Sequence, residues 1–235
     1  GHNTIKIADH VQNDLGVTAL AHLTCVSSTR ETVHQRIADM KAAGIENVMA
    51  LRGDLTPEMQ NQDRSQWPYR HAVELIRDIR ESGADFCIGG ACYPEIHPES
   101  QNQKEDIKRL KEKVDAGCEF LTTQMFFDNA RYFSFVERCR AAGITVPIIP
   151  GLKPLTSLTQ QALLPKTFHI DLPLDLATEL RKCQSNDDVK ALGDCINKAS
   201  KYSDIASNEV LVSKQVHDLW PSSKGGLIHF TAKDD

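Results

Sequence analysis

The chain has 235 residues, 40% of them hydrophobic and 25% charged, with a formal net charge of -5. That length and apolar content suffice for one large domain with a core, and they exclude a chain disordered throughout. The acidic balance leaves no basic excess to neutralise phosphates, which argues against a nucleic-acid partner, and no apolar stretch is as long as a membrane-spanning helix. The start, Gly1-His2-Asn3-Thr4, lacks the basic and apolar regions of a signal peptide, so a cytoplasmic protein is expected. The seven cysteines are an odd number in a chain too large to depend on disulfides, and none form a Cys-x-x-Cys pair. Cys87 and Cys92 are too widely spaced for a usual zinc knuckle, so reduced, half-buried thiols are expected and no metal.

In chain order, a helix-like stretch at 5–13 ends at Gly16, with no strand before it. An apolar run at 17–24 predicts a strand, 31–43 a helix, and 47–51 a second strand. A helix is expected at 68–81, with Pro68 in its first turn where the missing N–H costs nothing, followed by a strand at 86–92. A helix at 104–116, a strand at 120–125, a helix at 129–142 and a strand at 146–149 complete the regular part. Helices at 172–183 and 187–201, an irregular stretch at 202–226 and a last strand at 227–230 close the chain.

Four helical patterns close on a small residue and a glycine: Ala43-Gly44, Ser82-Gly83, Ala116-Gly117 and Ala142-Gly143. Glycine just past a helix adopts the left-handed conformation that ends it. These glycines lie about 26 to 39 residues apart, which suits a repeating βα unit. The strands are nearly continuous in apolar or small residues, as strands buried on both faces are. Strand and helix in alternation give an α/β fold with a parallel sheet, and no Gly-x-Gly-x-x-Gly follows a strand, which favours a (β/α)8 TIM-type barrel over a dinucleotide-binding open sheet. Only six strands are counted, so the barrel is read as lacking its first two, within a single domain over 1–235.

Polar groups gather where the apolar runs stop. Asp54, in Arg52-Gly53-Asp54, falls at or past a strand's C-terminal end, the face on which barrels build active sites. A carboxylate there can stabilise a cation, orient a heterocycle or take a proton, and it can equally cap a turn. His22 stands in an otherwise apolar strand and is expected to be at least partly buried, either as a satisfied structural histidine or as a ligand contact. Tyr93 and His97 flank Pro94 and precede Pro98, so their rings are held in a stiff loop; Tyr93, Glu95, His97 and Glu99 are an alternative set of metal ligands. Gln124 places an amide that can donate and accept, as recognition of a pterin-like edge requires, although the adjacent backbone can also satisfy it. Asp106 and Lys113 lie seven apart on one helix, where a solvated charged face is the default.

Taken together and in order, Ala21-His22-Leu23-Thr24-Cys25, Leu51-Arg52-Gly53-Asp54, Tyr93-Pro94-Glu95-Ile96-His97-Pro98-Glu99, Lys113-Val114-Asp115-Ala116-Gly117, Thr123-Gln124-Met125-Phe126-Phe127-Asp128 and Ile149-Pro150-Gly151 resemble the methylenetetrahydrofolate reductase family over about residues 4 to 200. The resemblance implies a barrel holding FAD without a covalent bond, an oxidoreductase that uses NADH or NADPH to reduce 5,10-methylenetetrahydrofolate to 5-methyltetrahydrofolate for methionine synthesis. By motif, His22, Arg52, Gly53, Asp54, His71, Ala72, Tyr93, His97, Asp106 and Lys113 are the implied FAD contacts. Asp54 and Gln124 are the implied folate contacts, with Asp54 the catalytic carboxylate.

The chain also departs from that pattern. No counterpart exists to the family's first strand, which supplies a general-acid glutamate, or to the second strand and its Gly-rich turn. The ending Thr231-Ala232-Lys233-Asp234-Asp235 lacks the family's Tyr-Thr-x-Asn continuation, and Glu112 would set a negative charge near the FAD phosphates. Impaired reductase activity is therefore expected of this chain expressed alone, and open sheet edges favour a homo-oligomer. The alternative is a non-catalytic barrel remnant serving as a binding or interaction protein. A metal- or corrinoid-linked methyltransferase using Glu95 and His97 is a third reading.

Overall fold

A computed structural model describes residues 2–198 except 152 and 154. The expected strand at 227–230 and the irregular stretch at 202–226 lie outside the described residues. Helix α1 (His2–Asp9) runs into a π-helical turn (His10–Asp14), and β1 is Leu20–Thr24. There follow α2 (Arg30–Ala42), β2 (Asn47–Leu51), the short α3 (Pro57–Gln60), α4 (Ala72–Glu81) and β3 (Cys87–Cys92). Then come α5 (Gln103–Asp115), β4 (Phe120–Thr123), α6 (Asn129–Ala141), β5 (Ile148–Ile149), α7 (Gln160–Phe168), α8 (Leu174–Lys182) and α9 (Asn186–Lys198). The strands form one sheet in the order β1-β2-β3-β4-β5. β1 pairs parallel to β2, Leu20 opposite Asn47 through Thr24 opposite Leu51, and β2 pairs parallel to β3, Asn47 opposite Cys87. A helix crosses between consecutive parallel strands, as parallel pairing demands.

The described residues group into two compact units, 2–91 with 108–121, and 92–107 with 122–198. In the first, α2 begins at Thr29, whose hydroxyl accepts the Thr32 N–H, and ends at Gly44 with φ +67°. Its Val33, Ile37 and Met40 are buried, as are Leu75, Ile76 and Ile79 of α4 and Val48, Met49 and Ala50 of β2. Asp78 of α4 is buried with a full set of partners: Arg30 donates through Nη1 at 2.7 and 2.8 Å, Tyr69 through Oη, and His34 Nε2 lies 3.3 Å away. Burial alone would raise this carboxyl, but the Tyr69 and Arg30 hydrogen bonds and the nearby guanidinium outweigh it and hold the group below the usual carboxylate range. Gly89 of β3 makes room for Phe120, since a Cβ there would stand 2.3 Å from the Phe120 ring.

In the second unit, α6 is capped by Asp128, which accepts the Ala130 N–H at 2.9 Å. It buries Tyr132, Phe135 and Cys139; Tyr132 stacks on Phe126 at 5.1 Å and donates from Oη to the Ile148 carbonyl at 2.9 Å. Leu155, Leu164, Leu176, Leu180 and Val189 form a cluster that buries one face of α7 to α9. Gly151 lies against β4, its N–H donating to Thr123 Oγ1 at 2.8 Å.

Several expectations need correction. Pro68 is not in a helical first turn: α4 starts at Ala72, where Glu74 Oε2 accepts the His71 N–H at 2.8 Å, and the buried Tyr69 holds the preceding segment irregular. β5 is only two residues long, and α3 and α7 are additional helices. Their apolar periodicity is too short, or too interrupted by Pro165, to announce a helix.

Candidate active site

In the first unit the polar groups stand where β1 and β2 end. The backbone past β2 is anchored to the residues after β1: the Cys25 N–H donates to the Leu51 and Arg52 carbonyls at 3.2 and 3.1 Å, and the Val26 N–H to the Arg52 carbonyl at 2.7 Å. Gly53 follows with φ +93°, and a Cβ there would meet Val26 Cγ1 at 2.8 Å, so glycine is required on both counts. This turn leaves Asp54 exposed three residues past β2, while the Arg52 Nε donates to the Gly53 carbonyl at 3.3 Å. His22 is exposed, contrary to the expectation of burial: side chains alternate along β1, Ala21 and Leu23 take the buried face, and His22 takes the other. His71, also exposed, precedes α4, and Ala72 is that helix's first residue. Beneath this surface Cys25 is fully buried, and desolvation pushes its thiol up to about 12, so it is a neutral packing group and not a nucleophile.

Lys113 belongs to the same unit. Its Nζ donates to the Ala91 carbonyl at the end of β3, so the cation is tied to a strand end and is not a solvated surface charge. Glu112 beside it is exposed.

In the second unit the loop after β3 builds a compact constellation. The Tyr93 and His97 rings meet edge to face at 4.7 Å and 89°. Asp106 accepts the His97 N–H through Oδ2 at 3.3 Å and the Ser100 hydroxyl through Oδ1 at 2.9 Å, so it organises this loop instead of sitting on a solvated helix face. Tyr93, Pro94, Ile96, Asp106 and Phe135, among others, surround a shallow surface depression that encloses no room for a water molecule. Glu95 Oε2 accepts the Asp171 N–H at 2.8 Å and its Oε1 is buried without a hydrogen-bond partner; desolvation raises this carboxyl's pKa. Glu95 and His97 therefore turn to different partners, and among the described residues no three His, Cys, Asp or Glu side chains gather as metal ligands.

Gln124 directly follows β4. Its N–H donates to the Cys92 carbonyl at 2.8 Å, which fixes its backbone, and its Oε1 accepts the Met125 N–H at 3.0 Å. The half-buried amide is thus oriented by its own backbone, with Oε1 retaining a second lone pair. Sequence reasoning missed Ser100 and the Thr123–Gly151 bond as supports of these strand ends. Neither residue type signals such a role without its partner.

Parallel strands joined by helices, with polar and titratable groups at their C-terminal ends, define an α/β enzyme-type fold of the (β/α)8 barrel class. A solved structure of a Clostridium thermocellum protein, described as binding two copies of 5-methyl-5,6,7,8-tetrahydrofolic acid, has a like fold, with a TM-score of 0.54 at 16% identity over 89% of this chain and 74% of that one. The family model for methylenetetrahydrofolate reductase matches residues 1–210, and the chain belongs to that family. It is 38% identical over 172 residues to the 5,10-methylenetetrahydrofolate reductase of Salmonella typhimurium, covering 73% of this chain and 55% of that protein. It is 36% identical over 184 residues to the probable methylenetetrahydrofolate reductase (NADPH) of Caenorhabditis elegans, covering 78% of this chain and 27% of that protein. The chain therefore spans between about a quarter and just over half the length of these relatives. Among the described residues, no helix is long and apolar enough to cross a membrane.

Proposed function

We propose that the chain provides the flavin- and folate-binding face of a cytoplasmic methylenetetrahydrofolate reductase, which uses NADH or NADPH to form 5-methyltetrahydrofolate for methionine synthesis. The observation that carries this reading is the exposed Asp54 at the end of β2, on a turn that only glycine permits, within a chain of this family.

The residues present suit FAD by their chemistry. Arg52 and Lys113 supply positive charge for a diphosphate, and His22, His71 and His97 supply imidazoles for ribose and phosphate oxygens. Gly53 and Ala72 add close backbone approach, while Tyr93 and Asp106 complete the set assigned by family motif. Glu112 is exposed one residue from Lys113 and works against this set, so a relatively weak hold on the diphosphate is expected. When bound, FAD supplies the capacity to take a hydride from a nicotinamide and give it up again.

Toward the folate, the chain's own groups have separate tasks. Asp54 holds negative charge beside the one-carbon unit and favours its electron-poor iminium form. Gln124 presents an oriented amide to the pterin edge.

The test is the visible absorption spectrum of the purified chain after incubation with FAD and gel filtration. A retained flavin band that NADH or NADPH bleaches, and that methylenetetrahydrofolate restores, is expected. A well-folded chain that keeps no flavin would overturn the reading in favour of a non-catalytic binding protein.

A further inference from the structure

The connection from β2 to α4 carries Arg52, Gly53 and Asp54 at its start and His71 at its end, and between Leu51 and Val73 a single residue is buried, Tyr69, which is 1% exposed. Its ring lies against the Arg30 guanidinium, 5.5 Å from centroid to Cζ, and its hydroxyl donates to Asp78 Oδ2 at 2.5 Å. Asp78 is itself buried within α4, and Arg30, the first residue of α2, holds both of its carboxylate oxygens. Tyr69 is thus fixed by two helices at once. An apolar side chain at 69 would bury as much surface without requiring a buried carboxylate, and a buried ion pair adds little net stability over apolar packing. What the hydroxyl and the carboxylate add is direction, because a hydrogen bond is made at one distance and within a narrow range of angles. Arg70 alone separates Tyr69 from His71, so the anchor point sets where His71 and Ala72 emerge at the start of α4.

We propose that Tyr69 is a positioning residue, whose hydroxyl on Asp78 fixes the end of the β2–α4 connection and so holds His71 and Ala72 in place before the flavin nucleotide binds. The ligand rests on the flavin reading, whereas the anchoring does not. Tyr69 touches no ligand in this role and acts through the residues that follow it. A connection already fixed loses less conformational freedom on binding, and the smaller loss appears as affinity.

Two variants separate positioning from stability. Tyr69→Phe keeps the buried ring and its contact with Arg30 but loses the hydroxyl, whereas Asp78→Asn loses the charge but keeps an oxygen to accept that hydroxyl. Both are compared with the parent chain at a temperature at which thermal scans show all three folded. The first measurement, without FAD, is the rate at which trypsin cuts after the exposed Arg70, read by mass spectrometry. Cleavage should be about tenfold faster in Tyr69→Phe and within about threefold of the parent in Asp78→Asn, since proteolysis follows the population of the opened connection. A Tyr69→Phe chain cut no faster than the parent overturns the anchoring. The second is FAD affinity by fluorescence titration, which should weaken by about tenfold in Tyr69→Phe and stay within about threefold in the less stable Asp78→Asn. Losses of affinity that are equal in the two variants, or that follow their melting temperatures, overturn the positioning role. A parent chain that takes up no FAD overturns the flavin reading and with it the ligand, whereas the cleavage rates still decide the anchoring.

Discussion

At the scale of single residues, two carboxyl groups have opposite characters. Asp54 is exposed on a turn and free to act on a ligand, whereas Glu95 is half-buried, with Oε1 unpartnered and Oε2 on the Asp171 N–H. Asp54→Asn removes the charge and keeps the shape, so FAD should be retained while folate reduction slows by about 10²-fold or more; unchanged folate kinetics in rapid-mixing experiments would remove Asp54 from its role. For Glu95, desolvation and the neighbouring Asp171 and Asp128 raise the pKa, and the Asp171 N–H and Arg131 oppose the rise. The folded state then holds the proton more tightly than the unfolded chain, so this group's contribution to stability falls as pH rises from the ordinary carboxylate range, about 4, through the raised value. Glu95→Gln should accordingly gain in melting temperature relative to the parent between pH 4 and 7. A difference that does not change with pH would show that Glu95 ionises as readily in the fold as outside it.

At the scale of elements, close approach between strands depends on glycines that no side chain can replace. A Cβ on Gly151 would lie 2.1 Å from the Thr123 carbonyl oxygen, and one on Gly89 would lie 2.3 Å from the ring of Phe120. Backbone cannot swing aside as a side chain can, so Gly151→Ala must push its segment off β4 and break the 2.8 Å bond to Thr123. A loss of about 1–3 kcal/mol or more is expected for each alanine variant, with Gly151→Ala the worse, measured by urea unfolding. If Gly151→Ala melts like the parent, the packing of that segment on β4 is looser than described. Much at this scale was legible beforehand. β2 spans the expected 47–51, and Gly44, Gly83, Gly117 and Gly143 all have positive φ, because apolar runs and helix stops are local properties of a few adjacent residues. α7, interrupted by Pro165, was not legible, since it is held by its place in the Leu155–Leu164–Leu176 cluster.

At the scale of the whole molecule, acid stability should reflect Asp78. Its carboxylate is held below the usual range while it joins Arg30 on α2, Tyr69 before α4 and the nearby His34. A depressed carboxyl adds stability that is present above the unfolded pKa, about 4, and is lost as pH falls through the folded value. Asp78→Asn should therefore be destabilised at pH 7, with the gap to the parent narrowing toward pH 3. Thermal unfolding at these two pH values checks it, and a gap that stays constant would mean that the buried cluster does not depend on charge.

Sequence alone determined the alternation of strand and helix, the motifs and the family, because each rests on residue types and spacings within short stretches. The tertiary structure decided which polar residues face outward and which serve the protein itself. His22 is exposed because the pairing of β1 assigns alternate residues to opposite faces. Asp106 and Lys113 look like surface charges on a helix until the loop at 97–100 and the end of β3 supply their partners. The His97 ring accepts a backbone N–H two residues away through Nδ1, in a turn that Ile96 would not adopt unaided. Such assignments depend on where separate segments meet and on the bonds they complete there, and no local pattern of residues encodes that meeting.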